Sequence, residues 1–353
     1  MIEKMAFYRS KQVRGLLQRF CSILLICSFA SLIVVAALYY VDPVRFRRFF
    51  FQPVREVLFF QRELGIISKW DKVKKIRIPF DTTITIPKNA KDDLKIAASL
   101  KIPQEQGRLP AVLLLHGSSP FGRKNALIHL LAYRLFNTGW IVLSPDARGF
   151  GESNDPLDID NPSSWNVEND VRRCIDYLFK QPKTDTNKIF VIGHSMGAGH
   201  ALEGSLDDPR VRALILIGPP RYMGRFEASL WKRSRFSADR EISKPIKKEI
   251  TELRILKTDI SNYAKGPLKI FGHKPLLLFD GDFEGDENLS FLATVASEIS
   301  PPFIYHTLKD TGHYCGVYNL FGSESIYYRP DLFDPFWELL MNYFRMVVDE
   351  KKL

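Results

Sequence analysis

The stretch Gly193-His194-Ser195-Met196-Gly197 is where residue type and spacing in this 353-residue chain point most directly to chemistry. An apolar, β-branched run from Ile189 to Ile192 precedes it, and the small residues Ala198 and Gly199 follow. The run reads as a strand and the small residues as a packed helix start, which puts the serine on a sharp turn between them. Such a turn strains the serine backbone, and glycines two positions to either side let strand and helix approach closely. The hydroxyl then stands above the sheet as a nucleophile. A serine hydroxyl is weak in that role near neutral pH, so the reading demands a general base, a carboxylate to orient it, and oxyanion donors. The competing reading, a Gly-rich turn with an incidental serine, makes no such demand.

The elements that must position Ser195 alternate along the chain. Short β-rich pieces at 73–78, 82–86 and 94–102 are separated by turn signals at Pro79, Pro87-Lys88-Asn89 and Pro103, which predicts an antiparallel entry to a sheet. Residues 111–115, AVLLL, form a continuous apolar strand of the kind buried on both faces, and it ends in His116-Gly117-Ser118-Ser119. A helix over 124–137, a strand over 140–144, a loop from Pro145 to Ser153 and a helix over 167–179 lead to the serine strand. Strands over 211–217, 275–279 and 303–308, with helices over 289–298 and 335–348, complete the pattern. Regular βα alternation implies an α/β fold with a mostly parallel, doubly wound sheet and helices on both faces.

Composition narrows the class. Hydrophobic content of 45% and charged content of 25% are ordinary for a globular protein. The net charge of +10 is local: residues 1–62 hold ten Lys/Arg against three Asp/Glu, and residues 221–274 hold fourteen against six. What is left of the chain is therefore mildly acidic. No nucleic-acid-binding motif accompanies the basic segments, so nucleic acid is set aside as a partner and attraction to a membrane surface is preferred. The four cysteines, Cys21, Cys27, Cys174 and Cys315, show no metal-ligand spacing, and neither a metal nor a cofactor is expected.

Residues 21–41, CSILLICSFASLIVVAALYYV, carry no charge. A helix of that length covers roughly 30 Å, the thickness of a bilayer core, and predicts an uncleaved transmembrane anchor. Residues 1–20 then form a basic N-terminal tail. Residues 42–71 form an amphipathic juxtamembrane linker in which Phe46 to Phe60 mixes phenylalanines with arginines, or else a helix packed on the domain. Five basic residues precede the span and four follow it closely, so charge counting leaves orientation open. The expectation adopted is a cytoplasmic N-terminus with the folded domain on the far side of a single-pass membrane protein.

Taken together, LLLHGSS, DARGFGES, GHSMG, DGDFEGDE and TGH occur in the order found in the α/β-hydrolase superfamily, and residues 72–350 resemble that family. The resemblance implies a nucleophile followed by an acid after a late strand and then by a histidine near the C-terminus. Ser195 is the implied nucleophile. Among seven histidines His313 is the implied base, because it follows the final strand in a loop that reaches over the sheet edge toward the serine. The implied acid lies among Asp280, Asp282, Glu284, Asp286 and Glu287. Glu284, three residues past Gly281, is favoured, with Asp282 second and Asp286 third. Oxyanion donors are expected to be the backbone N–H groups of Met196 and Ser118. Asp146 and Arg148 are expected to hold their loop together. Residues 221–274 fall where the family inserts a helical lid, with Tyr222, Met223, Phe226, Trp231 and Phe236 available to line a pocket for an acyl or alkyl group.

These features imply a membrane-anchored serine hydrolase acting on a small-molecule or lipid carboxylic ester. Peptidase and acyltransferase chemistry share the same machinery and stay open, as does a binding or scaffold protein that keeps the fold without turnover. Oligomeric state has no signature in the sequence.

Overall fold

The structure is a computed structural model that describes residues 70–89, 94–119, 121–157, 162–219, 275–281 and 303–348. The anchor expected at 21–41, most of the 42–71 linker, the 221–274 insertion, the 289–298 helix and the carboxylates at 282–287 lie outside these residues. The chain divides into a unit over 1–57 and another over 58–353, and every described residue belongs to the second. No helix among the described residues is long and apolar enough to cross a membrane.

The main sheet has eight strands: β2 (Ile84–Ile86), β3 (Ile96–Lys101), β4 (Leu109–Leu115), β5 (Ile141–Pro145), β6 (Thr184–His194), β7 (Val211–Ile217), β8 (Leu276–Gly281) and β9 (Phe303–Leu308). Their spatial order is β2-β3-β5-β4-β6-β7-β8-β9. Only the β2–β3 and β3–β5 pairs are antiparallel; from β5 through β9 the sheet is parallel. The central strands alternate without a polar face, because both of their faces are covered. On one face Val112, Leu114, Phe190 and Ile192 pack against helix α1 (Ala126–Asn137) and the C-terminal helix α4 (Pro330–Val348). On the other, Leu113, Leu115, Ile189 and Val191 pack against α2 (Val167–Phe179) and α3 (Met196–Ser205).

Two features differ from the sequence expectation. The first of the three entry strands, β1 (Lys74–Arg77), is not in the main sheet. It pairs antiparallel with β11 (Ser325–Tyr328), which pairs with β10 (Val317–Asn319) in a separate three-stranded sheet. Strands of three or four residues carry too little alternation to declare a partner some 250 residues away. The C-terminal helix begins at Pro330, not Pro335, and keeps Pro335 inside it. Either proline suits a first helical turn; burial of Leu332 and Phe333, at 8% and 0% exposure, makes the earlier start the favourable one.

Candidate active site

Ser195 alone separates β6 from α3, at φ +54° and ψ −120°. A side-chain-bearing residue enters that region only at a cost, so the surroundings must impose it. Its N–H donates to the Ile217 carbonyl at 2.8 Å, and its own carbonyl accepts from the Ala198 N–H at 2.8 Å. The flanking glycines are required by contact. A Cβ on Gly193 would lie 2.2 Å from the Gly197 carbonyl oxygen, and one on Gly197 would lie 2.2 Å from that of Leu115. Met196 supplies the first N–H of α3, one of the four at a helix start that lack an intrahelical partner and face the positive end of its dipole.

The loop that leaves β4 passes directly beside the serine: a Cβ on Gly117 would lie 3.0 Å from the Ser195 Cβ. His116 determines how this loop is turned. The Ala147 N–H donates to His116 Nε2 at 2.8 Å, so that nitrogen carries no proton. The proton sits on Nδ1, which donates to the Gly117 carbonyl at 2.6 Å. The Ser119 N–H donates to the same oxygen at 2.6 Å. Because the peptide is planar and trans, the Ser118 N–H lies on the edge opposite that carbonyl and is turned away from both donors. Burial lowers the His116 pKa, which keeps the ring neutral in this tautomer.

Behind the loop, the Asp146 carboxylate accepts from the Arg123 and Glu152 N–H groups at 2.7 and 2.8 Å and pairs with the Arg123 guanidinium. Arg148 grips Asp170 through two bonds of 2.9 and 2.7 Å. Both side chains are committed to structure.

The histidine loop closes over the neighbouring strands. A Cβ on Gly281, the last residue of β8, would lie 2.3 Å from the Thr311 carbonyl oxygen and 2.8 Å from that of Gly312. The end of β8 therefore lies against the segment that carries His313. The His313 backbone carbonyl accepts a 2.8 Å bond from His194 Nε2, and the two imidazole rings lie 4.7 Å apart. Ser195, Met196, the Gly117–Ser118 loop and His313 thus gather at the carboxyl ends of β4, β6 and β9. Glu284, Asp282 and Asp286 lie outside the described residues. The sequence reading did not single out His116 or His194 as braces, because the Ala147 N–H and the His313 carbonyl that they hold lie 31 and 119 residues away in the chain.

Other histidines have other surroundings. His306 stacks on Phe279 within the sheet, with centroids 5.9 Å apart, and His200 sits one turn beyond Ser195 on α3. A cleft lies between α2, α3 and the β5 loop, with His116, Trp165, Cys174 and His200 in its wall. Its lining takes in none of Ser195, Ser118, Met196 or His313, so it is not the space in front of the serine.

His129, on α1, is 5% exposed and packs on Phe80 at 4.9 Å; its Nε2 finds no partner among the described residues. Burial lowers its pKa to about 4, against about 6.5 in an unfolded chain. Between those values the unfolded chain takes a proton that the folded chain refuses. Stability from this group is full above about pH 6.5 and is lost as pH falls toward 4, by at most about 3 kcal/mol. Urea unfolding at about pH 7 and pH 4.5 measures the loss. His129→Phe, which keeps a ring on Phe80 but cannot be protonated, should show a shallower acid slope.

Residues 108–262 match the profile of the Hydrolase_4 family, described as serine aminopeptidase, S33. An esterase, EstD, of Thermotoga maritima is 29% identical over 130 residues, which are 35% of this chain and 30% of that protein. An uncharacterized 31.7 kDa protein of Escherichia coli is 28% identical over 120 residues, 34% of this chain and 41% of its own length. The chain thus spans less than half the length of these relatives. Among solved structures, that of 2,6-dihydroxy-pseudo-oxynicotine hydrolase superposes with a TM-score of 0.53 at 18% identity, covering 85% of this chain and 75% of that one. A soluble variant of monoglyceride lipase from Saccharomyces cerevisiae gives 0.52 at 15% identity, covering 78% and 97%.

Proposed function

We propose, from the premise that this chain has the α/β-hydrolase fold, that it is a membrane-anchored serine hydrolase of carboxylic esters. Ser195 Oγ attacks the ester carbonyl carbon while His313 takes its proton, and the tetrahedral oxyanion is received by the N–H groups of Ser118 and Met196. His313 returns the proton to the leaving alkoxide as the C–O bond breaks. Water, deprotonated by the same imidazole, then releases the acid from the acyl-serine. Glu284 orients His313, with Asp282 the alternative.

The observation that carries this reading is the crowding of three strand ends around one strained serine, with the Gly117 loop against its Cβ and the His313 loop tied to the residue before it. The esterase named among the relatives supports an ester substrate. The aminopeptidase description of the matching family keeps a peptide substrate as the second reading. A fluorophosphonate probe is expected to label Ser195, and turnover of an ester panel is expected to exceed that of matched amides. Refusal of the probe by the folded chain would sink the serine mechanism. Faster cleavage of aminoacyl amides would favour the second reading.

The anchor rests on the uncharged run 21–41 and its basic flanks. The full chain should remain with membranes through high-salt and alkaline carbonate washing, and a chain beginning near residue 69 should be recovered in the supernatant. Release of the full chain by carbonate would reject the span. Reporters at each end test the orientation proposed, with the N-terminus in the cytoplasm.

A further inference from the structure

His194 is wholly buried, and one imidazole touches both loops that face Ser195. On one side Nε2 meets the His313 carbonyl at 2.8 Å. A carbonyl only accepts, so Nε2 carries the proton and donates. On the other side Nδ1 finds no hydrogen-bond partner among the described residues and faces Gly117, where a Cβ would lie 3.0 Å from it. The ring itself lies against His313 at 4.7 Å and Tyr314 at 5.1 Å. Because His194 is the residue bonded to Ser195, whatever it holds is held in register with the nucleophile.

We infer that His194 is a positioning residue for the base: it ties the His313 loop to the nucleophile strand through its Nε2–H and stands as a neutral ring against the imidazole that receives the Ser195 proton. The inference rests on the serine-hydrolase reading for its kinetic consequence and on the hydrogen bond alone for its structural one.

The ring must stay uncharged to do this. A proton on Nδ1 would meet no acceptor at Gly117 and would place a second cation beside the imidazolium that forms on His313. Burial lowers the His194 pKa well below the ordinary value, and His313 beside it adds to the effect. Among the described residues the titratable groups that face it are His313 and Tyr314 from the base loop and His116 from the end of β4, none of them a carboxylate. With His194 neutral, the positive charge that forms is carried by His313 alone.

Two substitutions separate tying from filling. His194→Gln carries an amide N–H to about the reach of Nε2, whereas His194→Leu fills the space without a donor. In the intact chain the leucine variant should lose about a hundredfold in kcat and in fluorophosphonate labelling rate with KM little changed, the cost of misplacing a catalytic group by about 1 Å. The glutamine variant should recover most of that loss. Equal rates for the two variants, whether fast or slow, would overturn the inference.

Nitrogen-15 spectra of the histidine-labelled wild-type chain test it without turnover and without a folded leucine variant. The resonances absent from His194→Gln should belong to an Nε2–H tautomer that does not titrate between about pH 5 and 8. An Nδ1–H tautomer, or a His194 that titrates in that range, would overturn the assignment. Should wild type keep the expected tautomer but refuse the probe, the hydrolase reading fails while the tie stands.

Discussion

Ser195→Ala is expected to lower kcat by about a millionfold, the loss seen when a nucleophile that acts in concert with its base is removed. It should also abolish labelling by the fluorophosphonate while leaving the secondary structure intact. The conformation of the residue supplies a second, independent expectation. At φ +54° a Cβ is strained and glycine is not, so Ser195→Gly should be equally inactive yet more stable than the alanine variant by about 1–3 kcal/mol. Kinetics and thermal unfolding of the pair read both effects. If both variants kept turnover, the nucleophile would lie elsewhere. If glycine gave no gain, the turn would not be strained by its side chain.

The carboxylate comes second in size. A residue that accepts from the far nitrogen of His313 fixes its tautomer and stabilises the imidazolium, and neutralising it without changing its shape costs about ten-thousandfold in the best-studied triad. Glu284→Gln should show that loss, and Asp282→Asn and Asp286→Asn should not. Gly281, from which the candidates are counted, ends β8 close against the Thr311 and Gly312 carbonyls. A silent Asp282→Asn beside an active Glu284→Gln would move the acid two residues earlier. Full activity in all three would move it out of this loop.

How much of this was legible beforehand follows from the range of the interactions. The parallel core was legible because strands such as Ala111 to Leu115 are apolar at every position, and that composition arises only where both faces are covered. Helix α2 was placed at Val167–Phe179, between the loop that ends at Ser153 and the serine strand. Ser195 was legible because the close approach of Gly193 and Gly197 to backbone admits no other residue, so a steric demand is written into local spacing. The small sheet was not legible, since β1 depends on β11 for its pairing. The roles of His116 and His194 were not legible either. A tautomer is chosen by partners, and theirs are the Ala147 N–H and the Gly117 carbonyl for one ring and the His313 carbonyl for the other.

The small sheet bears on where this chain can be cut. Lys74 to Arg77 pair residue by residue with Tyr328 to Ser325, and β11 in turn pairs with β10, which begins four residues after His313. Glu324 adds stitches of its own, its carboxylate accepting from Arg77 Nε and Nη2 at 3.0 and 2.9 Å and its backbone carbonyl from the Ile78 N–H at 3.0 Å. The fold is thus sewn at its opening to the segment that bears His313. A truncation that spares Ser195, both loops and every strand of the main sheet, but starts at residue 78, would leave the seam beside His313 undone. Such a form is expected to lose turnover although the four residues it lacks from β1 are remote from Ser195 in the chain.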